Sequence, residues 1–428
     1  MAAWWRDAVI YQVYPRSFQD ADGDGMGDLP GVRARLDRLQ WLGVDALWLS
    51  PVFPSPMADG GYDVSDYTGV HPALGTSGDL DALIGDLHGR GMRLLLDLVA
   101  NHTSDEHPWF LASRRSRDDP HRDWYVWRDP GPHGAPPTNW LSHFGGPAWT
   151  LDPATGQCYL HLFHRRQPDL NWRNPEVEAA MHGVMRHWLD RGVDGFRLDA
   201  IWMLFKDPAW RDELPDPAWR PGMRESSRLL RRRTEDRPEL HGVFRRMRAL
   251  ADRYTPDRVL VGEVYLPPER LAAYYGTDGD GLHMLFDFAL AQAGPEAWTA
   301  RRLARAVARH EAALPPGAWG TWVLGNHDQR RVASRAGAGR SRLAQMLLLT
   351  LSGTPTMYAG DELGMRDVPV PPERADDPSP PDPDGWTRDW ARTPMPWSAG
   401  PGGGFTTGEP WLPVGAPCPP WDAPRAAP

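Results

Sequence analysis

The sequence predicts an α/β fold, an eight-stranded parallel (β/α)8 TIM barrel. Eight short apolar runs recur along most of its 428 residues, helical patterns separate most of them, and charged residues gather where the runs end. The runs fall at 8–15, 46–52, 93–101, 195–200, 259–265, 283–290, 321–328 and 355–361. Rich in Val, Leu, Ile and aromatics, they are too short and too evenly apolar for half-exposed antiparallel strands. Helical periodicity appears at 31–42, 77–90, 174–191, 241–254 and 297–313. Alternation of this kind closes a barrel or builds a doubly wound open sheet, and eight units favour the barrel.

Two stretches break the rhythm. Residues 102–171 are dense in Trp, His, Pro, Gly and Asp, and a structureless loop of that length is improbable in a compact domain. They are expected to form a subdomain inserted after the third strand, over the barrel mouth. Residues 366–428 are dominated by Pro, Gly and Asp with no helical period, although a barrel needs a helix after its eighth strand. The expected organisation is therefore barrel (1–101), insertion (102–171), barrel (172–365) and a Pro/Gly-rich loop segment with a truncated tail (366–428).

Composition narrows the function. Hydrophobic residues at 41% and charged ones at 24% are ordinary for a globular protein, and the length suffices for a large core. A formal charge of -9 argues against nucleic acid or an anionic membrane as partner. No apolar run approaches the roughly 18 residues of a membrane span, and the start has no basic-then-apolar leader pattern. Two cysteines, Cys158 and Cys418, make no disulfide framework, so a cytoplasmic location is expected. Lys206 stands alone among arginines as the single lysine.

In a parallel barrel, reacting groups come from the C-terminal strand ends. Those ends carry Asp97 to His102, Arg197-Leu-Asp199, Glu263, and Asn326-His327-Asp328. Period-2 alternation puts Arg197 and Asp199 on one face of the fourth strand, a costly pair to bury unless it serves a site. The guanidinium is expected to keep Asp199 ionised, as a nucleophile requires. Glu263 and Asp328 have no Lys or Arg beside them in sequence, which leaves one free to hold a proton. An ionised and a protonated carboxyl facing one another are the needs of a retaining glycosidase.

These segments resemble the four signature regions of the α-amylase superfamily, and Gln167-Pro-Asp-Leu-Asn171 resembles the fifth region of its oligo-1,6-glucosidase and α-glucosidase branch. The likeness runs from Trp4 to about Val414. It implies Asp199 as nucleophile, Glu263 as acid and base, and Asp328 as a clamp on sugar hydroxyls. Arg197, His102 and His327 would position nucleophile and substrate. Tyr62 in Asp59-Gly-Gly-Tyr62-Asp63 would pack under a terminal glucose, with Phe144, Phe163 and Gln167 lining its pocket. Arg392 in Arg392-Thr-Pro-Met-Pro396-Trp would pair with Asp59 and close it; the family usually has Gln where Pro396 stands.

The resemblance thus implies an exo-acting α-glucosidase on short oligosaccharides, with Ala200 after the nucleophile favouring α-1,4 over α-1,6 bonds. A glucosyl-transferring isomerase, such as a trehalose synthase or sucrose isomerase, shares the intermediate. A non-catalytic barrel subunit is the reading from another class, predicting lost carboxylates that are in fact present. Asp20, Asp22, Asp24, Met26 (through its carbonyl) and Asp28 resemble the family's calcium loop, whose alternate carboxylates suit a hard cation. Lys206 matches a lysine that replaces a second calcium between barrel and insertion. The branch continues into a last barrel helix and a C-terminal β domain, so this chain is expected to be truncated, leaving apolar wall exposed and the protein poorly stable or inactive alone.

Overall fold

The computed structural model describes residues 3–416; Cys418 and the rest of the tail lie outside them. Among the described residues eleven strands form two sheets: β1 (Ile10–Val13), β2 (Ala46–Leu49), β3 (Arg93–Val99), β4 (Trp127–Arg128), β5 (Trp149–Asp152), β6 (Gln157–Leu160), β7 (Gly195–Asp199), β8 (Val259–Gly262), β9 (Met284–Asp287), β10 (Thr321–Val323) and β11 (Thr354–Tyr358). Eight close a parallel barrel in the order β1-β2-β3-β7-β8-β9-β10-β11, and all eight expected runs supply a strand. The register sets Arg197 beside Asp97 and Asp199 beside Val99. Only glycine can begin β7, because a Cβ at Gly195 would fall 2.1 Å from the Val259 carbonyl oxygen.

Alternation sorts the side chains. Leu94, Leu96 and Leu98 of β3 face outward into one large core shared with the helices, including Leu83, Leu87 and Trp188. Leu95 points inward with Ile10, Trp48, Val261, Met284 and Phe286, filling the barrel interior. The next inward positions toward the C-terminal ends are Asp97, Arg197, Asp199 and Glu263, all buried. The barrel is therefore apolar below and ionic above.

Helices at Ser77–Gly89, Pro175–Asp190, Leu240–Ala251 and Ala300–Ala313 lie where periodicity puts them. The expected helix at 31–42 is two, Leu29–Ala34 and Leu36–Leu42, broken at Arg35, whose φ of -106° and ψ of 3° leave the helical region. A helix at Ala338–Thr350 had no periodic signal, since the more polar stretch 340–345 gives way to the continuous apolar run Met346-Leu-Leu-Leu349 without alternation between faces. Among the described residues after β11 only short 3-10 turns occur, as expected. The helices Leu36–Leu42 and Ala338–Thr350 carry exposed Trp41 (70%), Leu343 (54%), Met346 (60%) and Leu349 (48%).

Residues 102–171 contain a small antiparallel sheet in the order β4-β6-β5. Bridges between His102 and Asp169 and between Tyr125 and Leu170 bring its two ends together beside the end of β3.

Candidate active site

Arg197 is the hub of the barrel mouth. One terminal nitrogen donates to Asp97 Oδ1 at 2.8 Å and to Asp199 Oδ1 at 2.5 Å; the other lies 2.7 Å from Glu263 Oε1. Trp48 and Tyr62 also donate to Asp97 Oδ2, at 3.2 and 2.9 Å, so the carboxylate that anchors the hub is itself fixed. Glu263 Oε2 accepts from the Ala200 N–H at 3.2 Å. Ala200 holds φ 46° and ψ 33°, a left-handed conformation costly for a residue with a Cβ.

Three carboxylates share one guanidinium, and burial decides their protonation. Desolvation pushes Asp199 up to about 7 despite Arg197, with Asp97 and Asp328 adding repulsion. Glu263 goes higher, to about 8, by burial and by the charges of Asp199 and Asp328 against the pull of Arg197. Arg197 thus tempers the rise at Asp199 but does not hold it in the ordinary carboxylate range, as the sequence had led us to expect. It also reaches Glu263 across the mouth, a neighbour invisible along the chain.

Asp328 behaves in the opposite way. Burial raises it, but His327, Arg388, Arg392 and Arg197 outweigh that and hold it below the usual carboxylate range. Arg392 Nη2 donates to Asp328 Oδ1 at 2.7 Å and its Nε to the His327 carbonyl at 2.9 Å. The expected pairing of Arg392 with Asp59 is not found. Arg388, four residues earlier, donates to Asp59 Oδ1 at 2.7 Å and to Asp328 Oδ1 at 3.2 Å. Arg392 is committed to the buried strand end, whereas the 3-10 turn Arg388–Trp390 carries Arg388 over the cavity. Sequence reading missed Arg388, whose partner Asp59 lies far along the chain.

The loop before Tyr62 is tied by Asp63, which accepts from Ser55 Oγ and from the Ala58 and Asp59 N–H groups at 2.8 to 3.0 Å. Gly60 and Gly61, at φ 58° and 104°, make the turn possible. Tyr62 then stacks on His327 with centroids 5.2 Å apart and planes within 3°. His327 Nδ1 faces the Gln12 amide nitrogen at 2.7 Å, which can only donate; the ring proton therefore sits on Nε2, 3.2 Å from Asp328 Oδ2. Burial lowers His327 to about 3, keeping it neutral.

From the insertion, Gln167 donates to Asp59 Oδ2 at 3.0 Å and lies 3.1 Å from His102 Nε2. Burial lowers His102 to about 4, so it too is neutral. Phe163 and Phe144 stand edge to face, and Arg388 lies over the Phe144 ring at 5.0 Å. Together these groups surround a cavity of about 440 Å³ whose wall includes Asp59, Tyr62, Asp199, Glu263, Asp328 and Arg388. His102, Phe144 and Phe163 also face it; Gln167, Arg197, His327 and Arg392 stand one layer behind. Arg231 and Glu235 complete the rim from residues 204–239, a second long irregular segment that sequence reading did not single out.

The acidic loop after β1 gathers Asp20, Asp22 and Asp28, whose oxygens lie within 4.8 Å of one another. Asp24 instead accepts the Met26 N–H at 2.7 Å, and the Met26 sulfur accepts from Arg16 Nε at 3.1 Å. Burial raises Asp28, with Asp22 and Asp20 adding repulsion, so a cation would relieve strain among hard oxygen donors. The cluster could hold a metal ion. Thr406 donates to Asp20, and the Asp20 N–H to the Phe405 carbonyl, tying the loop to the late segment.

Residues 12–418 match the model of the alpha amylase catalytic domain. The chain belongs to the α-amylase family. Among relatives, it is 45% identical over 430 residues to a probable alpha-glucosidase of Rhizobium meliloti (strain 1021), covering 96% of this chain and 77% of that one. It is 41% identical to an oligo-1,6-glucosidase of Parageobacillus thermoglucosidasius, at 96% and 78% coverage. Among solved α-amylase-family structures, the α-glucosyl transfer enzyme XgtA superposes with a TM-score of 0.91 at 42% identity, over 98% of this chain and 80% of that one. The trehalulose synthase of Pseudomonas mesoacidophila MX-45 gives 0.86 at 38%, over 97% and 79%.

Proposed function

We propose that this α-amylase-family glycoside hydrolase is an exo-acting α-glucosidase that removes terminal α-linked glucose from short oligosaccharides, with α-1,4 favoured over α-1,6 bonds. The observation that carries the reading is the shared guanidinium. Bonds of 2.5 and 2.7 Å to one rigid fork keep Asp199 Oδ1 and Glu263 Oε1 within about 8 Å of each other, facing one cavity. Asp199, the more acidic of the two, attacks the anomeric carbon; Glu263, the more basic, protonates the leaving oxygen and then takes a proton from water. Asp328, held ionised, accepts hydrogen bonds from sugar hydroxyls, and neutral His102 and His327 leave the developing positive charge at C1 unopposed. Arg388 bridging Asp59 and Asp328 closes one end, so only a chain terminus fits.

Four further assignments belong to this reading. Asp20, Asp22 and Asp28, with Asp24 and the Met26 carbonyl, would hold Ca²⁺ as a structural ion remote from the chemistry. Lys206 takes the place of a second ion: its Nζ lies 2.6 Å from Asp169 and donates to Asn101 at 3.0 Å. Residues 102–171 act as the inserted subdomain, and the protein works in the cytoplasm. Among the described residues no helix is long and apolar enough to cross a membrane.

Turnover of p-nitrophenyl α-glucoside, maltose and isomaltose by wild type beside Asp199→Asn tests the reading. Loss of at least several hundredfold is expected, each 1.36 kcal/mol of barrier being a factor of ten. Full activity of the variant would overturn it. A glucosyl-transferring isomerase is the second reading, favoured by the likeness to trehalulose synthase; products from maltose and sucrose separate the two.

A further inference from the structure

We propose that a cavity at the base of the barrel, opposite the catalytic mouth, is a second, non-catalytic site for a neutral oligosaccharide. It holds about 680 Å³, against about 440 Å³ at the mouth. Its wall includes the segments that lead into four strands: Arg6 before β1, Asp257 before β8, His283 before β9 and Trp319 before β10. Between the two cavities lies the apolar fill of the barrel, with Trp48, Val261 and Phe286 among it. From Val259 to Glu263 alone the chain climbs about 13 Å. A ligand at the base therefore cannot reach Asp199 or Glu263. Reacting groups of a parallel barrel stand at the other end of the strands, so this cavity binds without cleaving.

The chemistry of the wall fits a sugar. Half-buried Trp319 and the rings of Pro315 and Pro316 offer apolar surface to the C–H face of a pyranose. Asp257, Thr277 and Asp278 stand exposed around it. Among the described residues their side chains make no hydrogen bond, so their oxygens are free to accept from sugar hydroxyls. Arg6 donates through Nη2 to the Gly317 carbonyl at 2.9 Å and lies over the Trp319 ring at 5.3 Å, with further N–H groups to give. The charges select a neutral ligand. Arg248 is matched by Asp252 at 2.8 Å, so Asp257 and Asp278 repel a phosphate or carboxylate, while the Arg6 guanidinium repels an organic cation.

The wall is in place before any ligand arrives. Trp4 Nε1 donates to the Asp257 carbonyl at 3.0 Å, and Arg248 Nη1 to the Gly279 carbonyl at 3.1 Å. Trp319 Nε1 donates to Thr354 Oγ1 at 2.9 Å, and the Tyr275 hydroxyl to the Trp319 carbonyl at 3.3 Å. These bonds tie the loops to one another across the base, so little freedom is lost when a sugar settles there.

Equilibrium dialysis of radiolabelled maltotriose against Asp199→Asn counts the sites while consuming little of the sugar. Two molecules per chain are expected at saturation. Adding Trp319→Ala or Asp278→Ala should weaken one of them about tenfold or more, as follows when a hydrogen bond to a charged group or a stacking surface is lost. Asp278→Ala guards against misfolding, because that side chain is exposed. In the active enzyme either change should leave kcat/KM on p-nitrophenyl α-glucoside within about twofold. One bound molecule that neither variant weakens, or two that both variants leave untouched, would overturn the base site and leave the α-glucosidase reading standing. One bound molecule that both variants weaken would support the base site and overturn the reading of the mouth.

Discussion

The Lys206 ammonium lies 2.6 Å from Asp169 Oδ2, and both side chains are buried, one following a barrel strand and the other in the insertion. The same ammonium donates to Asn101 at the end of β3. One charge thus joins three chain segments at the rim.

Removing it should be severe. Lys206→Met leaves Asp169 buried and unpaired, and breaking such a pair costs about 3–5 kcal/mol. Denaturant unfolding should show a lowered midpoint, and a wild-type midpoint would refute the bridging role.

The pH profile follows from the two shifted carboxyls. Asp199 must be ionised, so kcat/KM rises as pH climbs through about 7; Glu263 must be protonated, so it falls again above about 8. A bell with its maximum between those values is expected. In Glu263→Gln, tested on a substrate whose leaving group needs no proton, the alkaline fall should vanish. Its persistence would move the acid role elsewhere.

Arg388→Met should cost about a hundredfold or more in kcat/KM on maltose, because two bonds between charged groups are lost at Asp59 and Asp328. Arg388→Lys should recover little of this, since a point charge cannot reproduce the planar fork. Near-normal kinetics for either variant would show that the closed end is unimportant.

Metal binding at the loop after β1 should appear as stability and not as rate. Ca²⁺ at 100 times its dissociation constant adds about 2.7 kcal/mol. Chelation should therefore lower the melting temperature while leaving initial rates at moderate temperature unchanged. Asp20→Ala should abolish the difference; an unchanged melt on chelation would remove the metal from the account.

The barrel was legible because its signal is local. Each strand is a short apolar run, and each carboxyl proposed to react sits at a strand end, such as Asp199 or Glu263. What escaped reading depends on contacts across the chain. Arg388 acts through Asp59, 329 positions away, and nothing near it in sequence says so. The hub role of Arg197 was half visible: alternation paired it with Asp199, but Glu263 belongs to another strand. Helix Ala338–Thr350 was hidden for a different reason, since its more polar half, 340–345, is followed by the apolar run at 346–349, and neither half repeats with a helical period. The irregular 204–239 segment has neither period nor motif, and its part in the rim emerges only from packing.

The bonds from Asp20 to Phe405 and Thr406, and from Asp59 to Arg388, span more than three hundred positions. During synthesis from the amino end, the barrel staves emerge long before the residues that seal the pocket. A nascent chain should therefore stay inert on the ribosome until residues past Thr406 have emerged. Onset of turnover during translation would report the last folding event and not the first.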